Sequence, residues 1–262
     1  MEGAFFMKCL ILTKRSLASI GFCFLIGALS ATAAISSTVR AVQTAATPKE
    51  VPIYRVASDS KQVAISFDAA WGDEQTEDLL NILDTYDVKA TFFLVGDWVE
   101  HFPDDVKEIA SRGHDIGNHS DTHPHMPQLS VSDETAEIQR CNDKIEALTN
   151  RVPTLFRAPY GDYNNDLVNT VKSLGMYCVQ WDVDSLDWKD PTPEQLTQNV
   201  LKKVTDGSIV LMHNGAKNTP AALPSIIEGI KDKGYEIVLI KDLIPDGEYY
   251  TDVQGEMHLN ER

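Results

Sequence analysis

Five clusters of reactive side chains lie between residues 68 and 213 of this 262-residue chain, each just after a short apolar run. They are Asp68, the pair His119 and His123, Arg157 at the head of Arg157-Ala158-Pro159-Tyr160-Gly161, Asp184 with Asp187 and Trp188, and His213. Imidazoles can hold a divalent cation, carboxylates can take or steer protons, and an arginine can fix a carboxylate in place. Together these residue types suggest metal-assisted hydrolysis. Local structure cannot join groups so far apart in sequence, so the fold must gather them. A barrel of parallel strands does this by collecting its strand ends at one rim.

Each cluster has a plainer reading beside the chemical one. His119 and His123 are four residues apart and converge on one cation if the segment makes a helical turn, which Pro124 should end. Neutral imidazole suits zinc first, with cobalt or nickel also possible. No Glu follows the first His, which argues against a metalloprotease helix, and two solvated histidines are the alternative. Asp68 closes the apolar run Val63–Phe67 and either caps a helix or acts as a base on water. Arg157, if not a surface charge, can bind Asp68 and keep it ionised. Asp184 and Asp187 add carboxylates beside the aromatic wall of Trp188. His213 ends another apolar run, as a satisfied core histidine or as a general acid tuned by a carboxylate.

The elements that must position these groups follow from periodicity. Residues 63–67, 90–95, 208–212 and 237–240 read as buried strands. Stripes at Leu79, Leu80, Leu83 and Tyr86, at Val99, Phe102, Val106 and Ile109, and at Ile138, Cys141, Ile145 and Leu148 read as helices. Another runs over Leu167, Val168, Val171 and Leu174, with Gly175 just past its end. Thr192 with Gln195 forms a capping box, Thr219-Pro220 opens a later helix, and Gly234 closes it. Alternating strands and helices without tight hairpins predict an α/β fold, a distorted (β/α) barrel of mostly parallel strands with the site at their C-terminal ends. The expected bounds are 1–35 for an export signal or membrane anchor, 36–60 for a linker, 61–245 for the catalytic domain and 246–262 for a polar tail.

The leader carries Lys14 and Arg15 before the uncharged run Leu17–Ala34, with Ala31-Thr32-Ala33 offering a cleavage site. It sends the rest of the chain across the cytoplasmic membrane, to be secreted or held at its outer face or the cell wall. Contact with membrane is expected only through this segment. A net charge of −16, from 23 Lys+Arg against 39 Asp+Glu, argues against gripping nucleic acid. Cys141 and Cys178, the two cysteines outside the leader, sit on an apolar helical stripe and in an apolar strand, and fit buried thiols or an oxidised pair.

Taken in order, Ser66-Phe67-Asp68, His119-x-x-x-His123-Pro124, Arg157-x-Pro159-Tyr160-Gly161, Asp184-x-x-Asp187-Trp188 and Leu211-x-His213 resemble the motifs of the polysaccharide deacetylases. This carbohydrate esterase family includes chitin and peptidoglycan deacetylases, and the resemblance runs over residues 62–244. It implies removal of N-acetyl groups from amino-sugar polysaccharide, with peptidoglycan the natural substrate for an exported protein. It implies His119 and His123 as ligands of a divalent metal, Asp68 as catalytic base, Arg157 as its orienting partner and His213 as general acid tuned by Asp187. The Tyr160 N–H is implied as an oxyanion donor, with Trp188 and Leu211 shaping the pocket for the acetyl methyl. One departure stands out. The family places a second Asp after the base, as third metal ligand, and here that position is Ala69. Asp73, or less favourably Asp121, is the candidate replacement. A non-catalytic glycan-binding or assembly protein and an O-acetyl esterase are the rival readings.

Overall fold

A computed structural model describes residues 49–260, so the expected leader, residues 1–35, lies outside the described part. Eleven strands are described: β1 (Arg55–Val56), β2 (Gln62–Ala69), β3 (Thr91–Leu94), β4 (Asp115–Asn118), β5 (Leu155–Phe156), β6 (Tyr177–Cys178), β7 (Val183–Asp184), β8 (Ile209–His213), β9 (Glu236–Val238), β10 (Tyr249–Thr251) and β11 (Glu256–Leu259). The helices are α1 (Thr76–Thr85), α2 (Gly96–His101), α3 (Pro103–Ser111), α4 (Val131–Thr149), α5 (Asn165–Ser173), α6 (Pro193–Leu201), α7 (Thr219–Asp232) and α8 (Ile240–Leu243).

The main sheet runs β6-β5-β4-β3-β2-β8-β7, with every neighbouring pair parallel. β9 adds along residues 62–64 of β2, while β3 pairs with residues 66–69. The distorted barrel expected from the sequence is therefore an open one. β6 and β7 end the order and do not pair with each other.

β2 is buried along almost its whole length, as a parallel strand covered on both faces should be. Alternation divides its residues between two faces. Val63, Ile65, Phe67 and Ala69 join the core beneath α1 and α7, with Leu79, Leu80, Leu83, Leu223, Ile226 and Ile227. Ala64 packs on the other side with Phe93, Ile209 and Val179. Ser66 and Asp68 share the parity of Ala64, so the polar end of the strand faces the barrel interior.

Several local signals act as expected. Thr192 and Gln195 close a capping box at α6, and Gly175 takes φ +73° just past α5. The single helix expected over residues 99–109 is two, α2 and α3, broken at Phe102, because Pro103 disfavours helical backbone in the residue before it. β4 carries too little apolar signal to be read from Asp115-Ile116-Gly117-Asn118. Gly117 explains part of that: a Cβ there would lie 2.5 Å from the Phe93 ring, so close strand packing needs glycine.

The packed unit also extends past its expected bounds. Val51, Ile53 and Val56, in the expected linker, are buried, and β1 pairs with β11. β10 and β11, in the expected tail, complete a separate three-stranded sheet with β1, and Met257 is buried. Cys141 and Cys178 are free, buried thiols.

Candidate active site

Register brings the expected base and acid together. Asp68 on β2 and His213 on β8 are paired residues of adjacent strands, both at the C-terminal end of the sheet. His119 follows β4, and Arg157 follows β5. The Arg157 guanidinium is fully buried and donates from Nη1 to Asp68 Oδ1 at 2.6 Å and from Nη2 to the Gln180 carbonyl at 3.1 Å. It lies 4.0 Å over the Phe93 ring, which fixes its plane. Burial alone would raise the Asp68 pKa, but the charges of Arg157, His119 and His213 and the Arg157 hydrogen bond hold it below the ordinary carboxylate value. Asp68 stays ionised, and its oxygens face side chains, Oδ1 the Arg157 guanidinium and Oδ2 the His119 ring, rather than the N–H groups of a helix start.

His213 is built in the opposite sense. Its Nδ1–H donates to Asp187 Oδ1 at 2.7 Å, and its backbone N–H donates to Asp187 Oδ2 at 2.7 Å. Thr219 Oγ1 also donates to Oδ2, at 2.9 Å. Burial opposes protonation of the ring. The Asp187 hydrogen bond and the charges of Asp187, Asp68 and Asp184 outweigh it and hold the pKa above the ordinary histidine value. Nε2 is left as the nitrogen able to deliver a proton. The pair Asp68 and His213 thus has the divergent tuning of a base and an acid.

The two imidazoles do meet, but not through a helical turn. Ser120 and His123 take φ of +67° and +58°, so residues 119–123 form an irregular loop. Asn118 Oδ1 accepts from the Ser120 N–H at 2.8 Å, and Glu137 Oε2 accepts from the Asp121 and Thr122 N–H groups at 3.1 and 2.9 Å. The rings of His119 and His123 pack edge to face with centroids 5.0 Å apart. His119 Nδ1–H donates to the Arg157 carbonyl at 2.8 Å, which leaves Nε2 3.5 Å from Asp68 Oδ2. Burial pushes both imidazole pKa values down, that of His123 to about 4 with the charge of His119 adding to the effect. Both shifts favour the neutral rings, whose lone pairs a metal needs.

The third ligand is where the donor set falls short. Ala69 is fully buried in the core beneath the helices and has no donor atom. Asp121 is engaged elsewhere, with Lys144 at 2.6 Å and Arg140 at 2.8 Å. Asp73 does not line the cavity that holds the two imidazoles. Enlisting Asp68 would consume the base. Among the described residues, the three-donor cluster compact enough for an ion is Asp252, Glu256 and His258, in the small sheet. Glu256 there pairs with Arg55, which bridges to Ser208 at the start of β8, the end opposite His213. The residues around His119 and His123 therefore do not fit a zinc centre with three protein ligands.

A cavity of about 420 Å³ joins these groups. Besides Asp68, His119, His123 and His213 it is lined by Tyr160, Trp188, Leu211 and Asp184, and by Ala70, Trp71 and Trp181. Tyr160 sits at φ +60° in the turn after Arg157 and packs between the rings of His123 and His125. Asp187 stands behind His213 rather than in the lining. Trp71 and Trp181 were missed by the sequence reading. Trp71 had a signal, being three residues past Asp68, whereas nothing local marks Trp181.

Comparisons with known proteins identify the family and its fold. Residues 55–179 match the family model described as polysaccharide deacetylase. This chain belongs to the polysaccharide deacetylase family. It is 37% identical to the uncharacterized protein YlxY of Bacillus subtilis over 74% of this chain, and 35% identical to the peptidoglycan-N-acetylglucosamine deacetylase PgdA of Listeria monocytogenes, again over 74%. It spans 61% of the first relative's length and 41% of the second's. Among solved structures, BA3943 of Bacillus anthracis, described as a CE4 family pseudoenzyme, superposes with TM-score 0.71 at 39% identity, covering 73% of this chain and 68% of that one. A mutant of BA3943 described as having restored enzymatic activity matches equally well, at 40% identity over 73% of this chain and 70% of that one.

Proposed function

We propose that this deacetylase-family protein acts on N-acetyl groups of cell-wall amino-sugar glycan, peptidoglycan above all. In this reading its proton-transfer half is complete and its metal-binding half is reduced to His119 and His123. One observation carries it: Asp68 and His213 face the same cavity, each fixed by an oppositely charged partner, Arg157 and Asp187. Asp68 takes the proton of the attacking water. The Tyr160 N–H holds the oxyanion, Leu211 and Trp188 receive the acetyl methyl, and His213 Nε2 protonates the departing amine. The peptidoglycan deacetylase among its relatives supports the substrate class. The basic and apolar N-terminus supports action outside the cytoplasmic membrane, after cleavage of a signal or from a retained anchor.

A second reading, glycan binding without turnover, is favoured by Ala69 and by the likeness to a pseudoenzyme. One experiment separates the two. Glycan binding and acetate release from acetylated chitooligomers and peptidoglycan are measured for wild type, Ala69→Asp and Asp68→Asn, with zinc, cobalt or nickel added and bound metal counted. Acetate from the wild type that falls by about 10² or more in Asp68→Asn supports the hydrolase. Glycan binding by the wild type, with acetate only from Ala69→Asp, supports the second reading. Failure of the wild type to bind either glycan sinks both. Including acetylxylan separates amide from ester hydrolysis.

A further inference from the structure

Trp71 is the least explained residue of the cavity. An indole is a large apolar surface, yet this one is 60% exposed, directly above two of the site's histidines. Its ring lies 6.2 Å from that of His213 at an interplanar angle of 27°, and 6.0 Å from that of His123 at 63°. It therefore spans the mouth from the acid to the imidazole pair. Its backbone, by contrast, is clamped. The next carbonyl, that of Gly72, accepts from Trp98 Nε1 at 2.8 Å and from Asn214 Nδ2 at 3.2 Å. Trp98 is itself buried. A fixed backbone under an uncovered indole is a costly arrangement in water unless something flat and partly apolar covers it.

Two more exposed aromatics share the cavity, Tyr160 at 58% and Trp188 at 55%. Unlike Trp71, both already have a part in the proposed reaction, Tyr160 through its N–H at the oxyanion and Trp188 at the acetyl methyl. We propose that Trp71 is a sugar-stacking platform, which holds the pyranose ring of the N-acetylated residue so that its acetamido group reaches Asp68 and His213. This rests on the glycan reading above and adds a residue that sets position and affinity without transferring a proton. It also requires no metal. Apolar C–H faces of a pyranose cover the indole while the hydroxyls stay wet, and Asp184 adds a carboxylate to the lining of the same cavity.

The test uses the full chain without added metal, titrated with the N-acetylglucosamine tetramer by calorimetry and by tryptophan fluorescence. Trp71→Ala should weaken binding about tenfold or more, the scale expected for losing one stacked aromatic face. Trp71→Phe should stay within about threefold of wild type, since a flat ring remains. Melting temperatures of both variants should match wild type, because the side chain is exposed. The ligand-dependent fluorescence change should shrink in Trp71→Phe. Trp71→Ala binding as well as wild type would overturn the proposal, and so would tighter binding, which would make the indole a blocking lid. Failure of the wild type itself to bind the tetramer would instead count against the glycan reading.

Discussion

Two halves of one cavity are built to different standards. On the proton-transfer side each reactive group has a buried partner of opposite charge, and that partner is held in turn: Arg157 by Phe93 and the Gln180 carbonyl, Asp187 by Thr219 and the His213 N–H. On the imidazole side the loop is held just as firmly, through Asn118, Glu137, Arg140 and Lys144. Yet the candidate ligands number two, and the position at which the family motif would offer a third is a buried methyl group. Positioning and ligand supply are thus separable. The scaffold that aims His119 and His123 survives the loss of a neighbouring carboxylate, because Asp121 and Glu137, not residue 69, anchor that loop.

The largest expected effect breaks the complete half. Arg157→Met removes a buried cation and strands the Asp68 carboxylate, so it should destabilise the fold by about 3–5 kcal/mol, read by chemical denaturation. A loss under about 1 kcal/mol would mean that water already shares the charge.

Asp187→Asn comes next. It removes the negative charge and one of the two oxygens that accept three hydrogen bonds, and should cost about 1–3 kcal/mol, while NMR titration should show the His213 pKa falling. The sign of the linked pH effect is fixed. A raised folded-state pKa gives stability that is fully present below the unfolded value of 6.5 and lost as pH rises through the folded value. The variant should therefore lose most at acidic pH and least at alkaline pH. The proposed reaction needs protonated His213, so its alkaline limb should move to lower pH in Asp187→Asn.

The comparison sharpens most finely on Asp73. Because Asp73 does not line the cavity, Asp73→Ala should leave bound metal unchanged within about twofold, by elemental analysis. A loss of tenfold or more, the scale of a removed ligand or its support, would show that the loop after β2 folds back to complete the site.

Much of this was legible in the sequence. β2, β3 and β8 are short apolar runs, and a parallel strand buried on both faces leaves that signature. Asp68 and His213 could be placed at strand ends because each terminates such a run. β4 could not, since Asp115 and Asn118 flank one apolar residue and a glycine whose need comes from the Phe93 ring across the sheet. Nor could the partnership of Asp121 with Arg140 and Lys144, which depends on α4 crossing behind the loop.

The sequence by itself determined the alternation of strand and helix, the inventory of acid, base and arginine, and the missing carboxylate at residue 69, because these are properties of residue type and local period. Tertiary structure alone decided that Asp73 stays out of the cavity lining, that Asp121 pairs with Arg140 and Lys144, and that Trp71 lies across the cavity mouth. It also decided that the described chain beyond residue 245 is a paired sheet. Those outcomes depend on which distant surfaces meet, and a one-dimensional pattern does not carry that information.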